Sequence, residues 1–380
     1  MKYRVIVFNG YYFPAKNYGG PSTSVENMIE ACSNEIDFFV IVVNHDFGDS
    51  TKLTDIKPGW NNHGKAQVLY VDDKEFTTKN IRRWIRELKP SSIYLSGVLS
   101  PRNLRYIFAS KKERVHVIVP PRGEVNDNAV KRKAYKKRPY FVFLKLFSVY
   151  KKCIFHATSQ AEADGLKKYL GISQEKIILL PNVPKKIVYG HPVEKKTGRL
   201  HAVYIARICR TKNLAEALNA LSNVNGRVVY DIYGPIEDEQ YWKECQDIIS
   251  SLPDNIKVSY LGLAEPKDVQ NIYLNCDCTI LPTVTENYGH SIVEALTAGC
   301  PCIIPCGTTP WDLIEKNAGF TYKLGDILKL KEIIQIMIEM NSGTYTQLIE
   351  STYKFANDNL MPKDVLREYV KMFSGGNRKQ

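Results

Sequence analysis

No Asp-x-Asp pair occurs anywhere in the sequence, there is no Gly-x-Gly-x-x-Gly, and no apolar run approaches the ~18 residues that a membrane-spanning helix needs. The first absence disfavours the single-domain transferases that grip a diphosphate through a carboxylate-bound metal. The second counts against a nicotinamide or flavin enzyme. A secretory signal is missing too: the opening MKYRVIVFNGYY reads as a strand, its apolar run too short for a signal core. A cytoplasmic chain is expected, either free or peripheral on the inner face of the cell membrane.

Acidic residues are scarce in the first half. Residues 1–190 hold 32 Lys+Arg against 17 Asp+Glu, a balance of +15; residues 191–380 hold 20 against 23, a balance of −3, and the two sum to the formal +12. Between Pro101 and Lys152, 15 basic residues face 3 acidic ones, a field that attracts nucleic acid, acidic lipid or a phosphate-bearing substrate. No aromatic stacking platform or recognised motif accompanies the charge, which disfavours nucleic acid. The nine cysteines are odd in number and scattered, against a disulfide framework. Cys276-x-Cys278 and Cys300-x-Cys302-x3-Cys306 lie in apolar, strand-like runs rather than on the turns that suit zinc, so buried, inert thiols are expected.

At 380 residues, 44% hydrophobic and 24% charged, the chain has room for two domains with separate cores. The best boundary is 185–199, basic and broken by Gly190 and Pro192. In the first half, residues 3–9 form a strand, Gly19-Gly20 ends the next loop, and Ser22, Thr23 and Ser24 are candidate caps for the helix that follows. A long irregular segment through Trp60 to Gly64 either shapes an acceptor pocket or runs over the surface. The strand Val115 to Val119 leads into Pro120-Pro121-Arg122-Gly123-Glu124, where Arg122 suits a phosphate, an acceptor hydroxyl or a structural ion pair. In KRKAYKKRPYFVFLKLFSVY (131–150), Phe141, Phe143, Leu144 and Phe147 leave few polar positions, so burial of that helix is expected. His156, inside an apolar run, reads as a core residue.

The sharpest stretch is LPTVTENYGHSIVEALTAGCPCIIP, residues 281–305. A strand ending at Leu281 feeds a polar loop; Ile292, Val293 and Leu296 then recur with helical spacing, Gly299 closes the helix, and 301–305 is a second strand. Ligands of such βαβ units gather where the loop meets the helix N-terminus. There the amides of Gly289, His290 and Ser291 favour an anion. Glu286 and Glu294 flank that point, placed to accept hydrogen bonds from sugar hydroxyls on either side of a diphosphate; the plain alternative is a loop charge and a solvated helix face. Upstream, Arg207 and Lys212 stand between the strand Leu200 to Ile205 and the helix Leu214 to Leu221, and suit two linked phosphates.

Glu286-x7-Glu294, with Arg207-x4-Lys212 and the Gly19-Gly20 loop, resembles the donor site of the retaining nucleotide-sugar glycosyltransferases of family four, the group 1 glycosyl transferases of the GT-B class. The resemblance implies an α/β fold of two Rossmann-like doubly wound domains facing across a cleft. The acceptor-binding domain would span 1–187, joined by a C-terminal helix at 360–375, and the nucleotide-sugar domain 188–359. Glu286, Arg207 and Lys212 would be catalytic. Gly19, Gly20, Arg207, Lys212, Glu286, Asn287, Tyr288, Gly289, His290, Ser291 and Glu294 would bind the donor, with Glu286 on the transferred sugar and Glu294 on the ribose. The donor would be UDP- or GDP-linked, with no metal and no cofactor. The acceptor would be a saccharide carried on undecaprenyl diphosphate, met by Arg122 and Glu124, as in bacterial O-antigen or capsule synthesis. The 101–152 region would face an anionic membrane surface, with no nucleic acid partner. Many members carry a histidine near Arg122, and this sequence does not. The alternatives are a nucleotide-sugar epimerase or sugar phosphorylase on the same fold, or a basic nucleic-acid-binding protein.

Overall fold

A computed structural model of the chain describes residues 2–15, 20–46, 48–131, 134–187, 189–190, 194–311, 313, 317–360 and 364–375. They form two compact units, Met1–Val183 with Lys363–Gln380, and Pro184–Pro362.

Unit 1 runs β1 (Tyr3–Phe8), α1 (Gly20–Cys32), β2 (Ile36–Val43), β3 (Trp60–His63), β4 (Ala66–Val71), α2 (Thr78–Leu88), β5 (Ser92–Tyr94), α3 (Asn103–Glu113), β6 (His116–Val119), α4 (Asp127–Lys131), α5 (Ala134–Leu146), β7 (Ile154–Ala157), α6 (Gln160–Gly165) and β8 (Ile177–Leu179). The sheet order is β3-β4-β2-β1-β5-β6-β7-β8, with every pairing parallel except β3 with β4. Val5 pairs with both Phe38 and Ser92. The central β1 is therefore apolar along Val5–Phe8 and buried there, as a parallel strand covered on both faces requires.

Three local expectations are corrected here. Trp60 to His63 is not irregular but an edge strand, antiparallel to β4; its polar sequence shows no alternation because much of it faces solvent. Ser22 and Ser24 do not cap α1, which already begins at Gly20; the Ser22 hydroxyl donates to the Tyr11 carbonyl at 2.8 Å. The α5 helix is not buried: Phe141 and Leu144 pack into the core, while Val142, Phe143, Leu146 and the following Phe147 are exposed. His156 is a core residue, its ring nitrogens within 2.7 Å of the Tyr94 hydroxyl and 3.0 Å of the Leu180 carbonyl.

Unit 2 runs β9 (Arg199–Ile205), α7 (Leu214–Leu221), β10 (Arg227–Tyr233), α8 (Glu239–Ser250), β11 (Ile256–Tyr260), α9 (Val269–Leu274), β12 (Cys278–Ile280), α10 (His290–Thr297), β13 (Cys302–Pro305), β14 (Gly319–Tyr322), α11 (Ile327–Glu339) and α12 (Ser342–Asn359). Its all-parallel sheet has the order β11-β10-β9-β12-β13-β14. From β9 the chain steps outward to β11, returns to the other side of β9 at β12, and steps outward again to β14. The order therefore reverses between β9 and β12. The last helix, α13 (Val365–Ser374), belongs to unit 1, where the Phe373 ring meets those of Phe38 and Tyr94.

Cys276, Cys278, Cys300 and Cys302 are buried, and burial pushes their thiols up; Cys306 departs from the expectation and is exposed. The run from Trp311 to Lys316, after the Gly307-Thr308-Thr309-Pro310 loop, reads as a helix in the sequence, and most of it lies outside the described residues. No described helix is long and apolar enough to cross a membrane.

Candidate functional site

Doubly wound sheets bind ligands beyond the carboxyl ends of the strands where the order reverses. In unit 2 that point lies past β9 and β12, whose loops carry Arg207, Lys212 and Glu286. These loops are braced by backbone hydrogen bonds. The buried Tyr204 hydroxyl donates to the Arg207 carbonyl at 3.0 Å, and the amides of Ala206 and Ile208 donate to Tyr233 at the end of β10 and to Pro235 in the loop after it. That close approach requires Gly234: its φ is 142°, and a Cβ would sit 1.9 Å from the Ala206 carbonyl oxygen. Val284 donates to Thr211 at 3.0 Å and Glu286 to Thr308 at 2.7 Å, which ties the β12 loop to those after β9 and β13.

The side chains on this frame sort into two ion pairs. Lys212 pairs with Glu286, their side chains 16% and 18% exposed, and the Thr283 hydroxyl donates to the same Glu286 oxygen at 3.2 Å. Arg207 pairs instead with Glu237 from the loop after β10, both about half exposed. Arg207 and Lys212, expected to share one task, thus each face a separate carboxylate.

Helix α10 begins next to Glu286. Gly289 caps it with φ 74° and no side-chain partner for the helix amides. Its first helical bond runs from the Val293 amide to the Gly289 carbonyl, so the amides ahead of Val293 have no acceptor inside the helix. Tyr288 is buried; its carbonyl accepts from the Trp311 indole at 2.7 Å, and its ring lies edge-on to His290. The Tyr288 hydroxyl has no hydrogen-bond partner among the described residues. Burial, with the Glu294 charge adding to it, raises the pKa of that hydroxyl. Glu294 is half-buried on α10 and acts in the same way on the buried Tyr273. Asn287 and Ser291 are half-buried beside them. The C-terminus of the helix is fixed by Gly299, φ 70°, where a Cβ would stand 2.4 Å from the Tyr353 ring.

Residues 191–355 match the model of the glycosyl transferases group 1 family. Over 378 residues the chain is 21% identical to an uncharacterized 41.2 kDa protein in the cps region of Klebsiella pneumoniae, covering 93% of this chain and 96% of that one. Among solved structures, the Anabaena protein HepE in complex with UDP and glucose superposes with a TM-score of 0.73 at 15% identity, over 98% of this chain and 100% of that one. WaaG, a glycosyltransferase involved in lipopolysaccharide biosynthesis, gives 0.67 at 13% identity, over 98% and 100%. The fold is GT-B.

In this GT-B chain the two residues expected to meet an acceptor lie in the first Rossmann-like domain. Arg122 follows β6 with φ 52°. Its guanidinium donates to the Tyr94 hydroxyl and to Asn182, each at 3.3 Å, and covers the Tyr94 ring, while its Nε is buried with no partner among the described residues. Glu124 accepts from the amides of Val98 and Leu99 at 2.5 and 2.9 Å, and burial lifts its pKa. Its carboxylate is thereby engaged in bracing the loop after β5. Gly20 starts α1, and Gly19 lies outside the described residues.

Sequence reasoning missed Glu237, Thr283 and Thr308. A signal for Glu237 existed in the strand-then-glycine pattern ending at Gly234. Ile205 pairs with Tyr233 in register, so an acid four residues past Tyr233 emerges beside a base two residues past Ile205.

Proposed function

We propose that this chain is a metal-independent, retaining glycosyltransferase of family four that moves a sugar from a UDP- or GDP-linked donor to a saccharide acceptor carried on lipid diphosphate. The observation that carries this is the meeting of Lys212 with Glu286 at the reversal point of the unit 2 sheet, beside the amides that open α10. In this reading the donor diphosphate lies over those amides, with Lys212 and Arg207 as fixed positive charge for the leaving nucleotide. Glu286 then accepts from hydroxyls of the transferred sugar, and Glu294 from the ribose. The missing Asp-x-Asp supports charge stabilisation by these side chains and backbone dipoles. Likeness along nearly the whole chain to a protein of a cps region and to WaaG supports surface polysaccharide assembly as the setting. The basic 101–152 region supports an acceptor presented at an anionic membrane surface, where each Lys or Arg adds about 1 kcal/mol.

Calorimetric titration with UDP and GDP tests the donor half. Wild type is expected to bind one of them, and Glu294→Ala to bind it at least about tenfold more weakly through loss of hydrogen bonds to the ribose. Undiminished affinity in Glu294→Ala sinks the ribose assignment.

A further inference from the structure

From the exposed face of α5, we infer a docking surface that inserts apolar side chains into an anionic lipid bilayer. This deepens the membrane part of the reading above and rests on it only for its purpose, since the surface itself stands apart from the donor site. Only a narrow stripe of α5 meets the core: Phe141 and Leu144 are each 2% exposed. On the opposite side Tyr135, Val142, Phe143 and Leu146 are 73%, 56%, 38% and 76% exposed, and Phe147, whose amide continues the helix by donating to the Phe143 carbonyl, is 69% exposed. At 100° per residue these positions, with Pro139, share one broad arc. The Phe143 and Phe147 rings pack together at 4.7 Å, so the arc presents a joined aromatic surface.

Its rim decides the occupant. Arg138 and Lys145 border the arc on the helix itself, and Lys151 and Lys152 follow it on the turn before β7. All four are exposed, and none forms an ion pair among the described residues. The nearby acid Asp127 is neutralised by Lys168 at 2.8 Å, and the half-buried Glu124 is held by the Val98 and Leu99 amides. An apolar arc edged by unpaired cations matches an interfacial helix on acidic headgroups: the rings enter the acyl boundary while the long basic side chains reach back to phosphate. A water-facing partner of neutral surface would leave those cations without counter-charge.

Co-sedimentation of the full-length chain with vesicles tests this. Binding is expected to vesicles containing phosphatidylglycerol, to be far weaker to pure phosphatidylcholine, and to fall only partly at high salt, because the apolar contribution is not screened. The Leu146→Glu/Phe147→Glu double variant is expected to lose about tenfold or more in partitioning, with thermal midpoint and nucleotide affinity unchanged. Lys151→Glu/Lys152→Glu, which leaves the apolar arc intact, is expected to lose the preference for phosphatidylglycerol. The proposal is overturned if the Leu146→Glu/Phe147→Glu chain binds vesicles like wild type, or if wild type stays in the supernatant at low salt. It is equally overturned if wild type sediments as a dimer that this variant dissociates, since the face would then belong to a second copy. Nucleotide titration on the same samples keeps failure of the surface separate from failure of the donor site.

Discussion

Replacing Lys212 by Met removes the charge facing Glu286 while keeping most of the stem. Both side chains are about five-sixths buried, in the regime where a close pair has a gross attraction of about 4 kcal/mol at an effective dielectric of ~20. Desolvation offsets much of that. What remains after Lys212→Met is a mostly buried carboxylate with the Thr283 hydroxyl and its own backbone anchor to Thr308. We therefore expect a loss of about 2 kcal/mol, below the ~3–5 kcal/mol of a fully buried broken pair. For a unit of this length that corresponds to a fall of roughly 4–8 °C in its melting transition. Glu286→Gln, which strands the lysine instead, should lose a similar amount, and the double variant less than the sum by about 1–2 kcal/mol. Two compact units need not melt together, so scanning calorimetry is the suitable assay, with Glu286→Gln marking the unit 2 transition. In turnover, Lys212→Met should lose on the order of 10² or more in kcat. Single-variant losses that simply add, with kcat at the wild-type level, refute both the coupling and the role.

Other perturbations separate the remaining parts. Glu237→Gln releases Arg207 from its competing carboxylate and should tighten nucleotide binding by about 1.5–5-fold in calorimetry, as expected from loss of a half-exposed ion pair; weaker binding would assign Glu237 to the ligand itself. Burial and the Arg122 charge hold His156 down at about 3, against 6.5 for a free histidine. As pH falls from about 6.5 toward 3, the unfolded chain takes up a proton that the folded chain does not, so stability drops by up to ~1.4 kcal/mol per pH unit. His156→Gln should flatten that slope in urea titrations, and equal slopes would contradict a neutral buried imidazole. Gly299→Ala forces a side chain onto φ 70° and against Tyr353, and should lower the unit 2 melting transition through a loss of about 1–3 kcal/mol.

Much of unit 2 was legible because its signals are local. Arg207 and Lys212 sit between a strand and a helix marked by periodicity, and the helix Leu214 to Leu221 has the bounds expected of it. Gly299 closes α10 in the left-handed region as its place after the apolar stripe implied. What escaped depends on partners distant in sequence. The Arg207–Glu237 pair follows from the β9–β10 register, and the engagement of Glu124 from a loop 25 residues away. The exposure of α5 escaped for a different reason. Its apolar residues run nearly all round the helix, a pattern that fits burial and equally fits a helix whose outer face meets lipid.

The most direct test is to incubate the chain with a panel of α-linked UDP- and GDP-sugars, labelled in the sugar, together with a lipid-diphosphate saccharide acceptor, and to determine the products by NMR. We expect release of nucleoside diphosphate from one donor and an α-linked sugar on the acceptor, with the rate reduced on the order of 10² or more in Lys212→Met. A nucleotide-sugar epimer, a sugar phosphate, a β-linked product or no turnover of any donor would contradict a retaining transferase.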